Sequence, residues 1–212
     1  MELNAALEAY VLAHTEPESD LLQALSRETG QKVLYKNMLS GHFQGRLLST
    51  IARMIRPKRI LEIGTFTGYS ALCLAEGLAP QGELHTVDIN DELEWLRQKY
   101  FKQSKYARSI YQHLGDGLKL ASSLEGPFNL VFVDADKQRY PDYFEVLVPR
   151  MSAGSWLVFD NVLWYGKVTD TVKHTDKETV ALDTLNKRIA SDTRVRPLLL
   201  PIRDGLTVCE VV

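Results

Sequence analysis

A short apolar strand runs directly into a helix in the stretch Leu61-Glu-Ile-Gly-Thr-Phe-Thr-Gly-Tyr-Ser70. Glycine has no Cβ atom, so Gly64 and Gly68 let the backbone approach a ligand closely at this turn. In open α/β sheets, ligands bind beyond the carboxyl ends of the strands, which is where this turn lies. The turn therefore predicts a cofactor site, although a glycine-rich connection can also be no more than a turn.

The charge beside this turn indicates which cofactor it would suit. The glycines do not follow the GxGxxG pattern of dinucleotide-binding folds, and Glu62 puts a carboxylate where a dinucleotide would present its pyrophosphate. Negative charge repels a phosphate and attracts a sulfonium or an amino group. Asp88 ends the next strand, where a carboxylate can accept hydrogen bonds from both ribose hydroxyls of an adenosine. The pattern favours S-adenosylmethionine over NAD.

Short β-rich runs alternate with helical stretches along the rest of the chain. The runs are 59–63, 83–88, 109–113, 129–133, 155–159, 195–199 and 205–211, and the helical stretches are 68–79, 90–105, 116–124, 138–149 and 176–191. This alternation predicts an α/β fold with a doubly wound, seven-stranded, mostly parallel sheet covered on both faces. A few residues, including Asp204 and Gly205, join the last two runs, which predicts a hairpin and one antiparallel strand at the sheet edge.

Three helices are predicted ahead of the first strand. Residues 2–13 and 17–28 have helical apolar spacing, with Pro17 near the start of the second helix and Gly30 as its stop. A third helix over 45–55 ends before Pro57. We interpret the chain as a single domain, 1–212, with an N-terminal helical region over 1–56 and a sheet core over 57–212.

Bulk composition limits the partners. The 212 residues carry 25 Lys and Arg against 27 Asp and Glu, a net charge of -2, so the positive field typical of nucleic-acid binding is missing. The local basic cluster, Arg46 to Arg59, is expected to form solvated faces. Cys73 and Cys209 lie in apolar patterns, and no stretch is long and apolar enough to span a bilayer. We expect a cytoplasmic protein with a small-molecule partner and no membrane partner.

Oxygen-bearing side chains end the fourth and fifth predicted strands. Asp134 follows Phe132-Val133, and Asp160-Asn161 follows Phe159. Because the carboxyl ends of parallel strands meet at one edge, Asp134, Asp160 and Asn161 are predicted to lie at the same rim as the cofactor. Three oxygen ligands without His or Cys favour Mg²⁺, with Mn²⁺ or Ca²⁺ as alternatives. Each Asp alone could equally be a cap or a surface residue.

Lys137 lies three residues after Asp134 and could act as a general base. An octahedral ion would leave positions for two neighbouring hydroxyls of a catechol, and Lys137 could take a proton from the attacking one if nearby cations depress its pKa. A lysine at such a position is otherwise a solvated charge.

Two further residues have open roles. Asp116 could approach an adenine or cap the helix that follows it. Trp164 could stack on a catechol ring, with Tyr165 and the polar stretch 166–176 as pocket wall and lid, or could pack against the helix at 176.

Four segments, Glu62–Ala71, Val87–Asp88, Phe132–Tyr140 and Phe159–Gly166, resemble those of the cation-dependent O-methyltransferases, a family that includes caffeoyl-CoA and catechol O-methyltransferases. The resemblance extends from about Lys36 to Val211. It implies a Rossmann-like class I methyltransferase fold, in which region 1–56 covers cofactor and substrate, and bacterial and plant members are often homodimers.

The resemblance also implies roles for individual residues. Asp134, Asp160 and Asn161 match the metal ligands, usually of Mg²⁺, and Lys137 matches the base. Lys137, Asn161 and Trp164 would contact the substrate. The cofactor positions are Met38, Leu39, Gly41, Glu62, Gly64, Ser70, Asp88, Asp116 and Asp134. The implied activity is methyl transfer from S-adenosylmethionine to one hydroxyl of a catechol-like vicinal dihydroxy aromatic.

Two departures from the family pattern concern the substrate. Thr207 follows Asp204-Gly205-Leu206 where the animal catechol enzyme has a substrate-contacting Glu, so the choice between meta and para methylation stays open. Residues 1–33 hold no motif for a coenzyme A ester. The alternatives are another small-molecule hydroxyl as acceptor, a nucleotide-binding oxidoreductase, and a non-catalytic nucleotide-binding module.

Overall fold

The computed structural model describes residues 4–171 and 174–212. Its centre is a seven-stranded sheet built from β1 (Arg59–Ile63), β2 (Glu83–Asp88), β3 (Ile110–Leu114), β4 (Phe128–Val133), β5 (Met151–Asp160), β6 (Val195–Leu200) and β7 (Leu206–Val211). The spatial order is β3-β2-β1-β4-β5-β7-β6. Strand β7 runs antiparallel to β5 and β6, and the other neighbouring pairs are parallel. The predicted mostly parallel sheet with a hairpin at one edge is confirmed.

Helices surround this sheet. In the part of the chain that the structure describes, they are α1 (Ala5–Ala13), α2 (Asp20–Lys32), α3 (Gly41–Ile55), α4 (Tyr69–Ala75), α5 (Glu94–Gln103), α6 (Gly117–Ser123), α7 (Tyr140–Leu147) and α8 (Lys177–Ser191). Short 3-10 turns occur at Lys36–Met38, Lys137–Arg139, Val148–Arg150 and Lys167–Thr169. The predicted helix over 138–149 is therefore α7 with a 3-10 turn at each end.

The sheet is covered on both faces, as predicted. Helices α6, α7 and α8 pack one apolar layer, and α2 to α5 pack the other. Strand β1 supplies both layers, since Leu61 and Ile63 join the first and Ile60 joins the second. Burial on two sides explains why the strand reads as a continuous apolar run rather than an alternating one.

Helix α2 differs from its predicted bounds at both ends. It begins after Ser19, whose hydroxyl accepts a hydrogen bond from the Leu22 amide at 3.4 Å, and not at Pro17. The stop predicted at Gly30 is wrong, because the helix continues to Lys32, which pairs with Glu28 at 2.7 Å. Glu28 also binds Lys99 of α5, so contacts of the last turn outweigh an interior-glycine cost of roughly 1 kcal/mol.

Helix α3 begins at Gly41, four residues before the predicted start at Gly45. Gly45 serves packing instead, because a Cβ atom there would lie 2.6 Å from the ring of Tyr69 on α4. Close helix-to-helix approach therefore explains this glycine better than a helix start does.

Smaller boundary shifts have local causes. Two side-chain turns, Asn90 N to Asp88 Oδ1 and Glu92 N to Asn90 Oδ1, delay α5 to Glu94. Strand β5 begins at Met151 rather than 155, because it first pairs with Phe128 and then shifts register.

Helix α1 covers Ala5–Ala13 of the predicted 2–13, and residues 2 and 3 lie outside the described part of the chain. Glu8 is the single charged residue of this helix, yet none of its residues is buried. Its apolar surface therefore faces outward.

Three arginines of the basic cluster pair with glutamates, while Arg56 and Lys58 are exposed, as predicted for solvated faces. Arg46 is buried against Glu76 with two hydrogen bonds, of 2.8 and 2.9 Å, so a solvated face is wrong for this residue. Arg53 pairs with Glu16, and Arg59 with Glu83.

Both cysteines are buried and free, in keeping with the apolar patterns in which they lie. None of the helices in the described residues is long and apolar enough to cross a membrane.

Candidate active site

Gly64 sits where three strand ends meet. Its amide donates to the Val87 carbonyl of β2 at 2.9 Å, and the Asp134 amide donates to the neighbouring Ile63 carbonyl at 2.8 Å. Its φ of 103° lies in the region that favours glycine. A Cβ atom here would stand 1.9 Å from the Asp134 carbonyl oxygen. The close approach of the ends of β1 and β4 therefore requires a glycine at position 64, independently of any bound ligand.

Gly64→Ala should therefore destabilise the fold by about 3 kcal/mol or more, from the disfavoured φ and the clash with backbone. The measurement is the free energy of unfolding from urea titration. Gly30→Ala is the matched control, because its Cβ has open space within α2 and should raise stability by about 1 kcal/mol. A Gly64→Ala protein as stable as the parent would contradict this reading of the turn.

Glu62 is fully buried beneath the turn. The Thr86 hydroxyl donates to its Oε2 at 2.5 Å, and Thr65 in turn lies 2.6 Å from Thr86. Oε1 has no hydrogen-bond partner among the described residues. Burial, aided by repulsion from Asp134 and Asp88, outweighs the hydrogen bonds and raises the pKa of Glu62 to about 8. With this pKa the carboxyl is mostly protonated at neutral pH, and a cofactor that brings a positive charge or an amino group to its spare oxygen would favour the ionised form, whereas a phosphate would disfavour it.

Asp88 holds the loop that follows β1. Its Oδ2 accepts from the Phe66 amide at 2.7 Å, and its Oδ1 accepts from the Asn90 amide at 2.9 Å. Each carboxylate oxygen keeps a further lone pair, so Asp88 can still accept from a ribose hydroxyl.

Arg97 is a residue of this region that sequence reasoning missed. It is buried on α5, and its guanidinium donates to the Phe66 carbonyl at 3.0 Å and to the Asn90 carbonyl at 2.8 Å. It also lies 3.4 Å from Asp88 Oδ2. Arg97 therefore ties together the two loops that flank Asp88. An arginine in an amphipathic helix carries no local sequence signal for that task.

The helix side of the turn is equally close-packed. Gly68 has a φ of 89°, and a Cβ atom there would lie 2.6 Å from the Phe101 ring. Ser70 is buried in the first turn of α4, next to the end of β1.

Asp116 caps α6, which is the alternative left open above. Its Oδ1 accepts from the Lys119 amide at 3.0 Å, and its Oδ2 accepts from Arg139 at 2.6 Å. Hydrogen bonding from Arg139 lowers the pKa of Asp116 to about 2. Its carboxylate thus has protein partners on both oxygens, and its contact with a cofactor stays a prediction.

Lys137 is not a solvated charge. It is 8% exposed, and its Nζ donates to Asp134 Oδ1 at 2.7 Å while lying 5.0 Å above the Tyr140 ring. Burial disfavours the ammonium, but attraction to Tyr140 and Asp134 outweighs burial and raises the pKa of Lys137 above its ordinary value. The prediction of a depressed pKa depends on nearby cations, and in the protein alone the opposite shift is found.

Asp160 lies at the end of β5 and is 4% exposed. Its Oδ1 accepts from the Asn161 amide at 2.8 Å, and its Oδ2 accepts from Gln44 Nε2 at 2.5 Å. Burial and the charge of Asp134 raise its pKa to about 6. Asn161 follows with a φ of 58°, a left-handed conformation that asparagine tolerates.

These side chains fit a hard cation by their chemistry. Asp134 and Asp160 repel each other, and Asn161 adds an amide beside them. No group of three Asp, Glu, His or Cys side chains in residues 4–171 and 174–212 is arranged to hold a metal, so the predicted set depends on that amide. The metal stays a prediction.

Trp164 is partly buried against the layer that contains α8, and its indole Nε1 has no hydrogen-bond partner in the described residues. This packing supports the alternative in which Trp164 packs against the helix at 176. Stacking of Trp164 on a catechol ring stays a prediction. Tyr165 beside it is 78% exposed. Of the stretch 166–176, Lys167–Thr169 forms a 3-10 turn, and residues 172 and 173 lie outside the described part.

The segment predicted to cover the cofactor precedes α3. Met38 ends a 3-10 turn with an exposed side chain, Leu39 packs partly against the α2–α5 layer, and Gly41 opens α3 with a φ of 75°. Three residues later, Gln44 reaches Asp160, so this segment lies at the rim of the site.

Comparison with known proteins indicates which family the chain belongs to. A family model described as O-methyltransferase matches residues 12–212. A catechol O-methyltransferase domain-containing protein of Mus musculus is 33% identical over 94% of this chain and 77% of its own length. A caffeoyl-CoA O-methyltransferase of Stellaria longipes is 30% identical over 92% of this chain and 85% of its own length.

Two solved structures share the fold throughout. The SAH-bound methyltransferase of Podospora anserina has a TM-score of 0.89 at 27% identity, covering 100% of this chain and 98% of its own. An O-methyltransferase of Streptomyces achromogenes, in complex with SAM, has a TM-score of 0.89 at 28% identity, covering 98% and 96%. The Rossmann-like methyltransferase fold is confirmed, and the chain belongs to the O-methyltransferase family whose members include the caffeoyl-CoA and catechol enzymes.

Proposed function

We propose that the protein methylates one hydroxyl of a catechol-like, vicinal dihydroxy aromatic, using S-adenosylmethionine and a divalent cation. Mg²⁺ is the first choice of ion, with Mn²⁺ or Ca²⁺ as substitutes. The observation that carries the proposal is that two buried ionisable groups, Lys137 after β4 and Asp160 at the end of β5, lie at the same edge of the sheet as Glu62 and Asp88. The similarity to caffeoyl-CoA and catechol O-methyltransferase relatives supports the same acceptor class.

The cofactor residues divide the work by charge. Glu62 offers its free Oε1 to a positively charged or amino group, and Asp88 offers lone pairs to ribose hydroxyls. Gly64 and Ser70 lie at the turn after β1, where they would border the cofactor, and Met38, Leu39 and Gly41 would cover it. Asp116 and Asp134 are the remaining residues that we propose to contact the cofactor. S-adenosylmethionine supplies an electrophilic methyl group on a positively charged sulfur.

Asp134, Asp160 and Asn161 would hold the cation, which supplies a Lewis acid that lowers the pKa of a bound hydroxyl. Lys137 moves the proton. As an ammonium it is the partner of Asp134, so it must lose its own proton before Nζ can accept one from the acceptor hydroxyl. If the Asp134 carboxylate were bound to the cation, it would attract the Lys137 ammonium less, and Lys137 would lose its proton more easily. Trp164 and Asn161 border the acceptor.

The partners are small molecules. With a net charge of -2 and with Arg46, Arg53 and Arg59 each paired to a glutamate, the surface offers little to a nucleic acid or an anionic membrane. The exposed apolar α1 supports a homodimer, and the location we propose for the protein is the cytoplasm. Light scattering after size exclusion tests the dimer, which should show twice the chain mass.

The acceptor class is tested with matched substrates. Caffeate carries two neighbouring hydroxyls, whereas coumarate and ferulate each present one free hydroxyl on the same skeleton. With S-adenosylmethionine and Mg²⁺, we expect methylated product from caffeate and none from the other two. Equal product from all three would replace the diol with a general hydroxyl acceptor. Cofactor binding without product from any acceptor would favour the non-catalytic module, the second candidate.

A further inference from the structure

A chain of hydrogen bonds leads from the β6–β7 loop to the predicted metal side of the site. Arg203 Nη1 donates to the Ser40 carbonyl and, at 2.7 Å, to Gln44 Oε1. Gln44 Nε2 donates to Asp160 Oδ2 at 2.5 Å. Gln44 and Asp160 are 116 residues apart in sequence, so this chain joins α3, β5 and the last hairpin.

The two ends of this chain fix the Gln44 amide in one orientation. A guanidinium can only donate, and an ionised carboxylate can only accept. The amide oxygen must therefore face Arg203 and the amide nitrogen must face Asp160, because a flipped amide would lose both partners. Gln44 is 3% exposed, so water has little access to replace either contact.

Asp160 is consequently held from both sides. Gln44 binds Oδ2, and the Asn161 amide binds Oδ1, which together fix the plane of the carboxylate. A buried carboxylate beside Asp134 would otherwise turn toward whichever donor it could find, since its charge is costly to bury.

The β6–β7 loop anchors the opposite flank as well. Asp204 Oδ1 accepts from the Tyr165 amide at 2.5 Å, and the Asp204 carbonyl accepts from the Leu163 amide at 2.9 Å. Neighbouring residues of one loop thus bind the start of α3 on one side and the segment after β5 on the other. The loop links the N-terminal helical region to the strand end that carries Asp160 and Asn161.

We propose that Gln44 and Arg203 are positioning residues that orient Asp160 for the divalent cation. The inference rests on the proposed function, because it concerns the same cation. Gln44 acts on Asp160 directly, and Arg203 acts through Gln44. Partners of metal ligands typically contribute 10-fold to 100-fold to metal affinity, so loss of Gln44 should weaken cation binding by roughly that factor. Arg203, one contact further away, should contribute about 10-fold.

The test measures Mn²⁺ affinity by calorimetry on the full chain with S-adenosylhomocysteine present, without any acceptor. Gln44→Leu removes both contacts, and Arg203→Ala changes an exposed side chain that the fold can spare. Arg203→Lys keeps a donor for Gln44 and should restore most of the affinity. Arg196→Ala is the matched control, because Arg196 lies on the same hairpin with an exposed side chain and one long contact, 3.5 Å, to Glu210.

We expect weaker Mn²⁺ binding for Gln44→Leu and Arg203→Ala, parent-like binding for Arg203→Lys and Arg196→Ala, and unchanged S-adenosylhomocysteine affinity for all four. Parent-like Mn²⁺ binding by both Gln44→Leu and Arg203→Ala would overturn this inference alone. A parent protein that binds no Mn²⁺ would overturn it together with the proposed metal dependence. An Arg203→Ala loss that Lys fails to restore would remove Arg203 from the account.

Discussion

Asp160→Ala should abolish metal-dependent methyl transfer, with a loss of turnover of about 10³-fold or more. A bound cation contributes several kcal/mol of charge stabilisation, and about 4 kcal/mol corresponds to that factor. The affinity for S-adenosylhomocysteine should stay within about threefold of the parent. The reason is position: Asp160 contacts Gln44 and Asn161, whereas the proposed cofactor carboxylates Glu62 and Asp88 lie on other strands.

Asp160→Asn separates the charge of this side chain from its size. The pKa of Asp160 is raised to about 6, so its ionisation weakens the fold as the pH rises through that value. Without added metal, loss of the buried charge at pH 7 favours the Asn variant, but its amide nitrogen faces one of the two donors that bind Asp160, so we expect a melting temperature close to that of the parent although the variant is inactive. Asp183→Asn, from an ion pair with Lys187 on the surface of α8, is the control and should keep parental turnover. Parental rates for Asp160→Ala with Mg²⁺ would contradict the assigned metal site.

Lys137→Ala should lower kcat by about 10²-fold to 10⁴-fold, which is the usual contribution of a positioned acid or base. The KM for the acceptor should change much less, because the diol is expected to be held at the metal side rather than by Nζ. The structural reason is that Lys137 is the cationic partner of Asp134 in the described residues and is itself buried. Steady-state kinetics with caffeate at fixed Mg²⁺ give both constants.

A second variant distinguishes proton transfer from charge at this position. Lys137→Arg keeps a cation beside Asp134 but cannot release a proton near neutral pH, so it should stay as slow as Lys137→Ala. Lys187→Ala removes an exposed lysine and should match the parent. If Lys137→Arg turned over at the parental rate, Lys137 would serve as a charge and proton removal would fall to the ion or to solvent.

The strand-end residues were predictable because the sheet imposes them. Apolar runs that end in or beside a carboxylate place their polar groups at one rim whenever the strands are parallel, as at Glu62-Ile63, Val87-Asp88, Val133-Asp134 and Phe159-Asp160. Pattern and topology alone therefore located that rim. The buried state of Lys137 was not predictable, since a lysine after a loop Asp is usually solvated.

Other features depend on contacts between distant segments. Gln44 reaches Asp160, and Arg97 reaches the loops at Phe66 and Asn90, through packing of helices that local spacing does not describe. Gly30 is a case in which contacts between distant segments override a local sequence signal. As a local signal it predicts a helix end, but ion pairs of Glu28 with Lys32 and Lys99 hold the next turn in place.

In the mechanism we propose, a divalent cation and a catechol-like acceptor meet at Asp134, Asp160 and Asn161. The most direct measurement is methyl transfer from S-adenosylmethionine to caffeate with Mg²⁺ and again with excess EDTA. We predict product with Mg²⁺, none with EDTA, and recovery when Mg²⁺ is restored in excess. Equal product in the presence of EDTA would contradict the claim.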